Sequence, residues 1–177
     1  MNYFKNIAAL LALALLFQSC QKDLLKTIPN DRISTEIFWK TDQDATLAAN
    51  AVYVYLTENA NHYFSWDGMS DIGYTHSPQS SESFILQGQF DALNGRVSDD
   101  WDKAYAGIHA ANSFLANVDK VDTKNPALIE RLKGEVRALR AYFYIRMAFL
   151  YGDVPLVTSE ITLDESKKLT RTPVSQV

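Results

Sequence analysis

The chain has 177 residues, 17 basic against 21 acidic, giving a net charge of −4, and a single cysteine. The acidic balance argues against nucleic acid and leaves no polybasic patch for anionic lipid, and one thiol excludes an internal disulfide framework. Nine Tyr, nine Phe and three Trp, with only seven Gly and five Pro, fit a helical globular protein with a sizeable core rather than a disordered chain.

The first nineteen residues read as an export signal. Lys5 supplies the positive start, Ile7 to Phe17 form an apolar run of eleven residues, and Ser19 is the small residue before Cys20. The run is too short to span a bilayer, which takes about 20 apolar residues. A plain secretory signal has no need of a cysteine here, whereas Phe17-Gln18-Ser19-Cys20 resembles a lipobox. Cys20 is therefore expected to become the lipid-bearing first residue of a mature segment of net charge −5, and the membrane to be met through that lipid.

Residues 20–33 read as an extended tether, since Pro29 and Asn30-Asp31 discourage a helix. Residues 34–177 form the expected domain, and Phe38-Trp39 suggests one helical turn. Thr41, with Asp44 three residues on, reads as an approximate capping box. Ala45, Ala48, Ala49, Val52, Tyr55 and Leu56 then recur at helical spacing, which predicts a helix over 42–58. Residues 59–97 lack a sustained period. So long an irregular segment tends to be functional or disordered, and its aromatics argue against plain disorder.

Ser98 is expected to cap a helix over 99–119, with Asp99 and Asp100 in its first turn favouring the dipole. Its face is Trp101, Tyr105, Ile108, Asn112, Leu115 and Val118. Asn125 and Pro126 open the last long helix, predicted over 126–151, with Gly152 as its stop and Pro155 beyond. Leu132, Val136, Leu139, Phe143, Met147 and Leu150 form its main stripe. Ala138, Tyr142, Ile145, Ala148 and Phe149 widen that stripe nearly all round, so burial on most sides is expected. The short connection at 122–125 makes the two helices an antiparallel hairpin. Trp101, Tyr105 and the second-helix Ala and Phe positions suggest a tetratricopeptide-like unit. The fold class is thus all-α, built of tetratricopeptide-like helical hairpins with a long irregular loop. Thr172-Pro173 reads as the start of another helix cut off after one turn, so a fragment of a longer repeat stack is expected.

Glu135, Arg137 and Arg140 are expected to be paired structurally, because charges on a buried helix must find partners. Asn112 is expected to hydrogen-bond a neighbouring helix end, and Trp39 and Trp101 to be core. No catalytic constellation appears: His62, His76 and His109 are scattered without His or Cys partners at metal-ligand spacing, and there is no phosphate loop or nucleophile elbow. Neither an enzyme nor a cofactor nor a metal site is expected.

Several segments in order resemble the N-terminal part of the SusD/RagB family of outer-membrane nutrient-binding lipoproteins. They are Cys20 with Asp23-Leu24-Leu25, Phe38-Trp39, Asn50 and Tyr53, Ser70-Asp71, Trp101 to Asn112, Gly134-Glu135 with Leu139-Arg140-Ala141-Tyr142, Tyr151 to Val157, and Arg171-Thr172. The resemblance implies a surface-exposed, non-enzymatic lipoprotein. It would capture oligosaccharide, or peptide in some members, for a SusC-like TonB-dependent outer-membrane channel. Gln21-Lys22-Asp23 resembles a surface-export signal and implies the outer leaflet. Trp66, Tyr74, Asn94 and Arg96 in the long loop are the candidate ligand-binding residues: rings stack on the C–H faces of sugars, and amide and guanidinium groups hold hydroxyls. Loop-packing aromatics and surface polars are the competing reading. A surface scaffold recognising a protein or peptide partner is the alternative function.

Overall fold

The computed structural model describes residues 38–58, 66–74 and 77–177. The expected signal, Cys20 and the tether 20–33 lie outside the described residues, as do His62 and His76. The chain divides into two units, Met1–Phe38 and Trp39–Val177, and all the helices named below lie in the second.

Helix α1 spans Asp42–Glu58, as predicted, because its start is settled within four residues. Asp44 N donates to Thr41 Oγ1 at 3.2 Å while Thr41 N donates back to Asp44 Oδ2 at 2.8 Å. The aspartate thus completes a reciprocal cap in the manner of a capping box. Phe38-Trp39 is a bend rather than a helical turn. Trp39 takes a φ of 43°, a left-handed conformation that costs a side-chain-bearing residue about 1–2 kcal/mol. That cost is offset by burial of the indole, whose ring meets Phe114 edge-on with centroids 6.0 Å apart.

Helix α2, Ser81–Leu86, lies inside the stretch that has no sequence period, and Ser80 caps it by accepting from Ser83 N. Helix α3 runs Gly95–Asn117 and continues as a 3-10 turn over Val118–Lys120. It begins four residues before the expected start. Asn94, not Ser98, is its cap: Asn94 Oδ1 accepts from Arg96 N at 3.0 Å and Val97 N at 3.4 Å. Ser98 instead donates its hydroxyl to the carbonyls of Asn94 and Gly95.

Helix α4 spans Pro126–Tyr151, with Asn125 as cap, Pro126 at its start and Gly152 (φ 67°) at its end. Its 26 residues make a rod about 39 Å long. A four-residue helix, α5, follows at Leu163–Ser166, held by a Thr162–Glu165 capping box, and a 3-10 turn closes the chain at Val174–Gln176. No strand forms among the described residues; Val154 and Thr172 make an isolated antiparallel bridge.

The helices α1, α3 and α4 pack against one another in all three pairs. The core between them is Ala45, Ala49 and Val52 from α1, Ile108, Ala111 and Phe114 from α3, and Leu132, Val136, Phe143 and Met147 from α4. Gly107 lets α4 approach: a methyl group there would fall 2.6 Å from the Phe143 ring. The expectation that α4 is buried nearly all round fails on one side. Ile145 is 68 % exposed and Phe149 82 % exposed, because α1 and α3 cover only the Leu132–Met147 stripe. Leu150, predicted in that stripe, is also open to solvent.

After Gly152 the chain turns back along the α3–α4 hairpin as a strap, 153–159. Its carbonyls are taken up by side chains from both helices. Asn112 Nδ2 donates to Val157 O at 3.0 Å and Ser159 O at 3.1 Å. Arg140 Nη1 donates to Thr158 O at 2.9 Å and to Asn112 Oδ1 at 2.6 Å. Tyr105 donates to Pro155 O at 2.7 Å, and Tyr144 exchanges hydrogen bonds with Val157. Asn112 therefore anchors a strap and not a helix end. Arg140 is structural, as expected. Glu135 pairs with Arg131 at 2.6 Å on an exposed face, whereas Arg137, expected to be paired, is exposed and makes no hydrogen bond or ion pair among the described residues.

Candidate functional site

Residues 66–74 and 77–94 lie at the end of the bundle where α3 begins and α4 finishes. Trp66 opens the first stretch in a short helical turn, with Met69 N donating to Trp66 O and Ser70 N to Asp67 O. The side chain of Ser70 also donates to Asp67 O and accepts from Ile72 N. Gly73 is required there, since a Cβ would lie 2.5 Å from the Asp67 carbonyl oxygen. Helix α2 is then tied to the start of α3 by Asn94 Nδ2, which donates to Ser81 O at 3.1 Å.

These elements enclose a cavity of about 310 Å³ lined by Trp66, Met69, Phe90 and Ile85 from the two stretches, Arg96 and Asp100 from α3, and Phe149 and Tyr151 from α4. Its wall is mainly apolar and its floor is charged. Arg96 and Asp100 are each 5 % exposed. Arg96 Nε donates to Asp100 Oδ2 at 2.8 Å, Arg96 Nη1 lies 3.7 Å from Glu82 Oε1, and Arg146 Nη2 reaches Asp100 Oδ1 at 3.5 Å. Buried charges persist only when paired in this way. The guanidinium carbon of Arg146 also sits 4.7 Å from the Trp66 ring centroid. Tyr151 donates to Val97 O at 2.7 Å, and burial pushes its phenol up to about 12, with the Asp100 carboxylate adding to the rise.

A second, more open hollow adjoins the first and shares Phe90 with it; Phe84, Gln89, Asp91, Leu93 and Asn94 complete its rim. Phe90 is 53 % exposed, so it presents ring surface to solvent between two concavities.

Of the four candidate binding residues, Trp66 and Arg96 come together at the first cavity, and Asn94 lies at the second. Tyr74 is exposed and lines neither. Arg96 and Asn94 have structural work already: one holds Asp100 and Glu82, the other caps α3 and binds α2. Phe90, Met69, Phe149 and Arg146 were not singled out from the sequence. Phe90 carried a usable signal as a ring in the irregular segment, while Phe149 was masked by its place in an apolar helix. Trp101, expected in the core, is half-buried between Tyr105 and Tyr151, with Arg171 above its ring. Among the described residues, no group of three His, Cys, Asp or Glu side chains could hold a metal ion.

Residues 26–177 match the model of a SusD-like family described as starch-binding associating with outer membrane. Two curated relatives from Formosa agariphila are similar along the chain. SusD-like protein P38 is 29 % identical, over 100 % of this chain and 36 % of its own length, and SusD-like protein P25 is 28 % identical, over 87 % and 31 %. The chain thus spans about a third of the length of these relatives. Among solved structures, a SusD-like carbohydrate binding protein from Bacteroides fragilis superposes with a TM-score of 0.69 at 22 % identity, over 78 % of this chain and 29 % of that one. A second SusD-like protein from the same organism gives 0.72 at 22 % identity, over 85 % and 29 %. At that identity the likeness is one of fold, and it agrees with the helical class read from the sequence.

Proposed function

The chain belongs to the SusD-like family, and from that premise we propose that it is part of a surface lipoprotein that binds oligosaccharide, with Trp66 and Phe90 as stacking platforms. The observation that carries the reading is the pair of adjoining concavities sharing Phe90, one backed by Trp66 and the other rimmed by Gln89, Asp91 and Asn94. A pyranose offers an apolar C–H face and a girdle of hydroxyls. Flat rigid rings take the former at low entropic cost, and the Gln89 amide and Asp91 carboxylate take the latter. Tyr74 is a further exposed ring on the segment 66–74. Asn94 and Arg96 serve the site by holding α2 and α3 in place around it.

In this proposal Cys20 carries the lipid that keeps the protein at the outer face of the outer membrane. Bound glycan passes to a SusC-like TonB-dependent channel, and tethering beside the channel raises the effective concentration of captured ligand. The family description, starch-binding and associating with outer membrane, supports the association with the outer membrane.

The test is calorimetric titration of the purified chain with maltoheptaose and a panel of other oligosaccharides. Trp66→Ala is expected to weaken binding of the preferred glycan about tenfold, the equivalent of about 1.4 kcal/mol. A flat response across all glycans, or binding confined to peptides, would overturn the carbohydrate reading.

A further inference from the structure

We infer that Arg146 is a positioning residue for Trp66, fixing the indole as a pre-oriented platform at the cavity. The inference rests on the carbohydrate reading and adds to it a residue that touches the ring rather than the ligand.

Trp66 stands in a turn with little regular structure of its own, so tertiary contacts must set its ring. Arg146 supplies one. Its guanidinium carbon lies 4.7 Å from the centroid of Trp66 and 5.9 Å from that of Tyr142. Its Nη2 is also drawn to Asp100 Oδ1 at 3.5 Å, and its side chain is only 11 % exposed. A planar cation can lie against an indole face and donate in-plane to a carboxylate at once. A lysine ammonium is a compact, strongly hydrated charge with no flat face, so it can meet Asp100 but cannot stack.

The chain of contacts continues inward. Asp100 Oδ2 accepts from Arg96 Nε at 2.8 Å, and Arg96 Nη1 lies 3.7 Å from Glu82 Oε1. Trp66, α4, α3 and α2 are thereby joined through one run of alternating charge, buried at Arg96 and Asp100. With Asp100 and Arg96 shielded from solvent, salt screens these contacts little. The ring is therefore held before ligand arrives, and less orientational freedom is lost on binding.

The experiment labels the three tryptophans with 5-fluorotryptophan and assigns the Trp66 fluorine line by its loss in Trp66→Phe. Arg146→Met is expected to shift and broaden that line, leave the Trp39 and Trp101 lines in place, and weaken maltoheptaose binding about three- to tenfold. Arg146→Lys, which keeps the charge beside Asp100, is expected to behave like Arg146→Met. Recovery of the line and the affinity in Arg146→Lys would overturn the planar stacking role and leave only the positive charge, beside Asp100 or over the ring. An unmoved Trp66 line in Arg146→Met would overturn it as well. Unchanged affinity in Arg146→Met, where Trp66→Ala does lose affinity, would overturn the positioning role alone. Unchanged affinity in Trp66→Ala would sink the Trp66 platform and this inference together.

Discussion

Asn112 Oδ1 accepts from Arg140 Nη1 at 2.6 Å, while the same amide donates to the carbonyls of Val157 and Ser159. One side chain thus joins α3, α4 and the strap that follows them, with all its polar valences turned inward. Asn112→Leu is of similar size but removes two donors and one acceptor at a buried position. It is expected to cost about 2–3 kcal/mol in urea unfolding, since groups left unsatisfied carry their full desolvation penalty. Amide exchange along 157–159 should rise with it, and an unchanged unfolding midpoint would refute the anchor role.

Gly107 and Phe143 make the second test. A Cβ at 107 would sit 2.6–3.0 Å from three atoms of a ring that is fully buried. Alanine gains about 1 kcal/mol of intrinsic helix preference over glycine, and overpacking costs about 1–3 kcal/mol. Gly107→Ala is expected to be net destabilising, and Phe143→Leu in the same chain to recover part of the loss. Strict additivity of the two changes would argue that the close approach has no energetic consequence.

High pH should lower the stability of the fold. Burial raises the Tyr105 and Tyr144 phenols above their usual value and takes Tyr151 to about 12. The ordinary phenol titrates near 10. A folded-state value above the unfolded one means that the contribution is complete below about pH 10 and is lost as pH climbs toward the folded values. Through this window the folded phenols still donate to Pro155, Val157 and Val97, and the loss arises because the unfolded chain ionises first. Unfolding free energy measured from pH 8 to 11.5 should therefore fall above pH 10. A Tyr105→Phe, Tyr151→Phe chain should show a shallower fall, and a flat profile for the unchanged protein would contradict this account.

Asn94 caps α3 and reaches Ser81 O across thirteen residues. Asn94→Ala is expected to cost about 1–2 kcal/mol, whereas Asn94→Asp keeps the cap acceptor and loses only the donor to α2. Thermal melts of the two variants separate these contributions, and equal losses would show that the α2 bond carries the whole effect.

Cys20→Ser tests the anchor. If the proposed export and lipidation hold, removal of the only thiol releases the chain from the membrane fraction, as followed by fractionation and surface labelling of intact cells. Retention at the surface would exclude lipidation at this residue as the tether.

The ends of α1 and α4 were legible in the sequence because their signals are local. Thr41 with Asp44, Asn125 with Pro126, and Gly152 each complete their hydrogen bonds or set the required dihedral within four residues. The start of α3 was not legible. Asn94 and Ser98 are both good caps, and the choice between them depends on Ser81, with Glu82 and Asp100 taking up the charge of Arg96. The candidate site divides in the same way. Trp66 could be singled out as a ring in an irregular segment, but Arg146 could not, since its place against that ring depends on contacts eighty residues apart in sequence.

By itself, then, the sequence determined the helical class, the bounds of two long helices and the apolar stripe that joins them, since periodicity and capping act over a few residues. Only the tertiary structure decided that Arg96 faces inward, that Asn112 holds a strap 45 residues away, and that Phe149 stands in solvent at 82 % exposure. An apolar pattern specifies which side chains gain from burial. Which of them are buried depends on what packs opposite, and that is set by contacts distant in sequence.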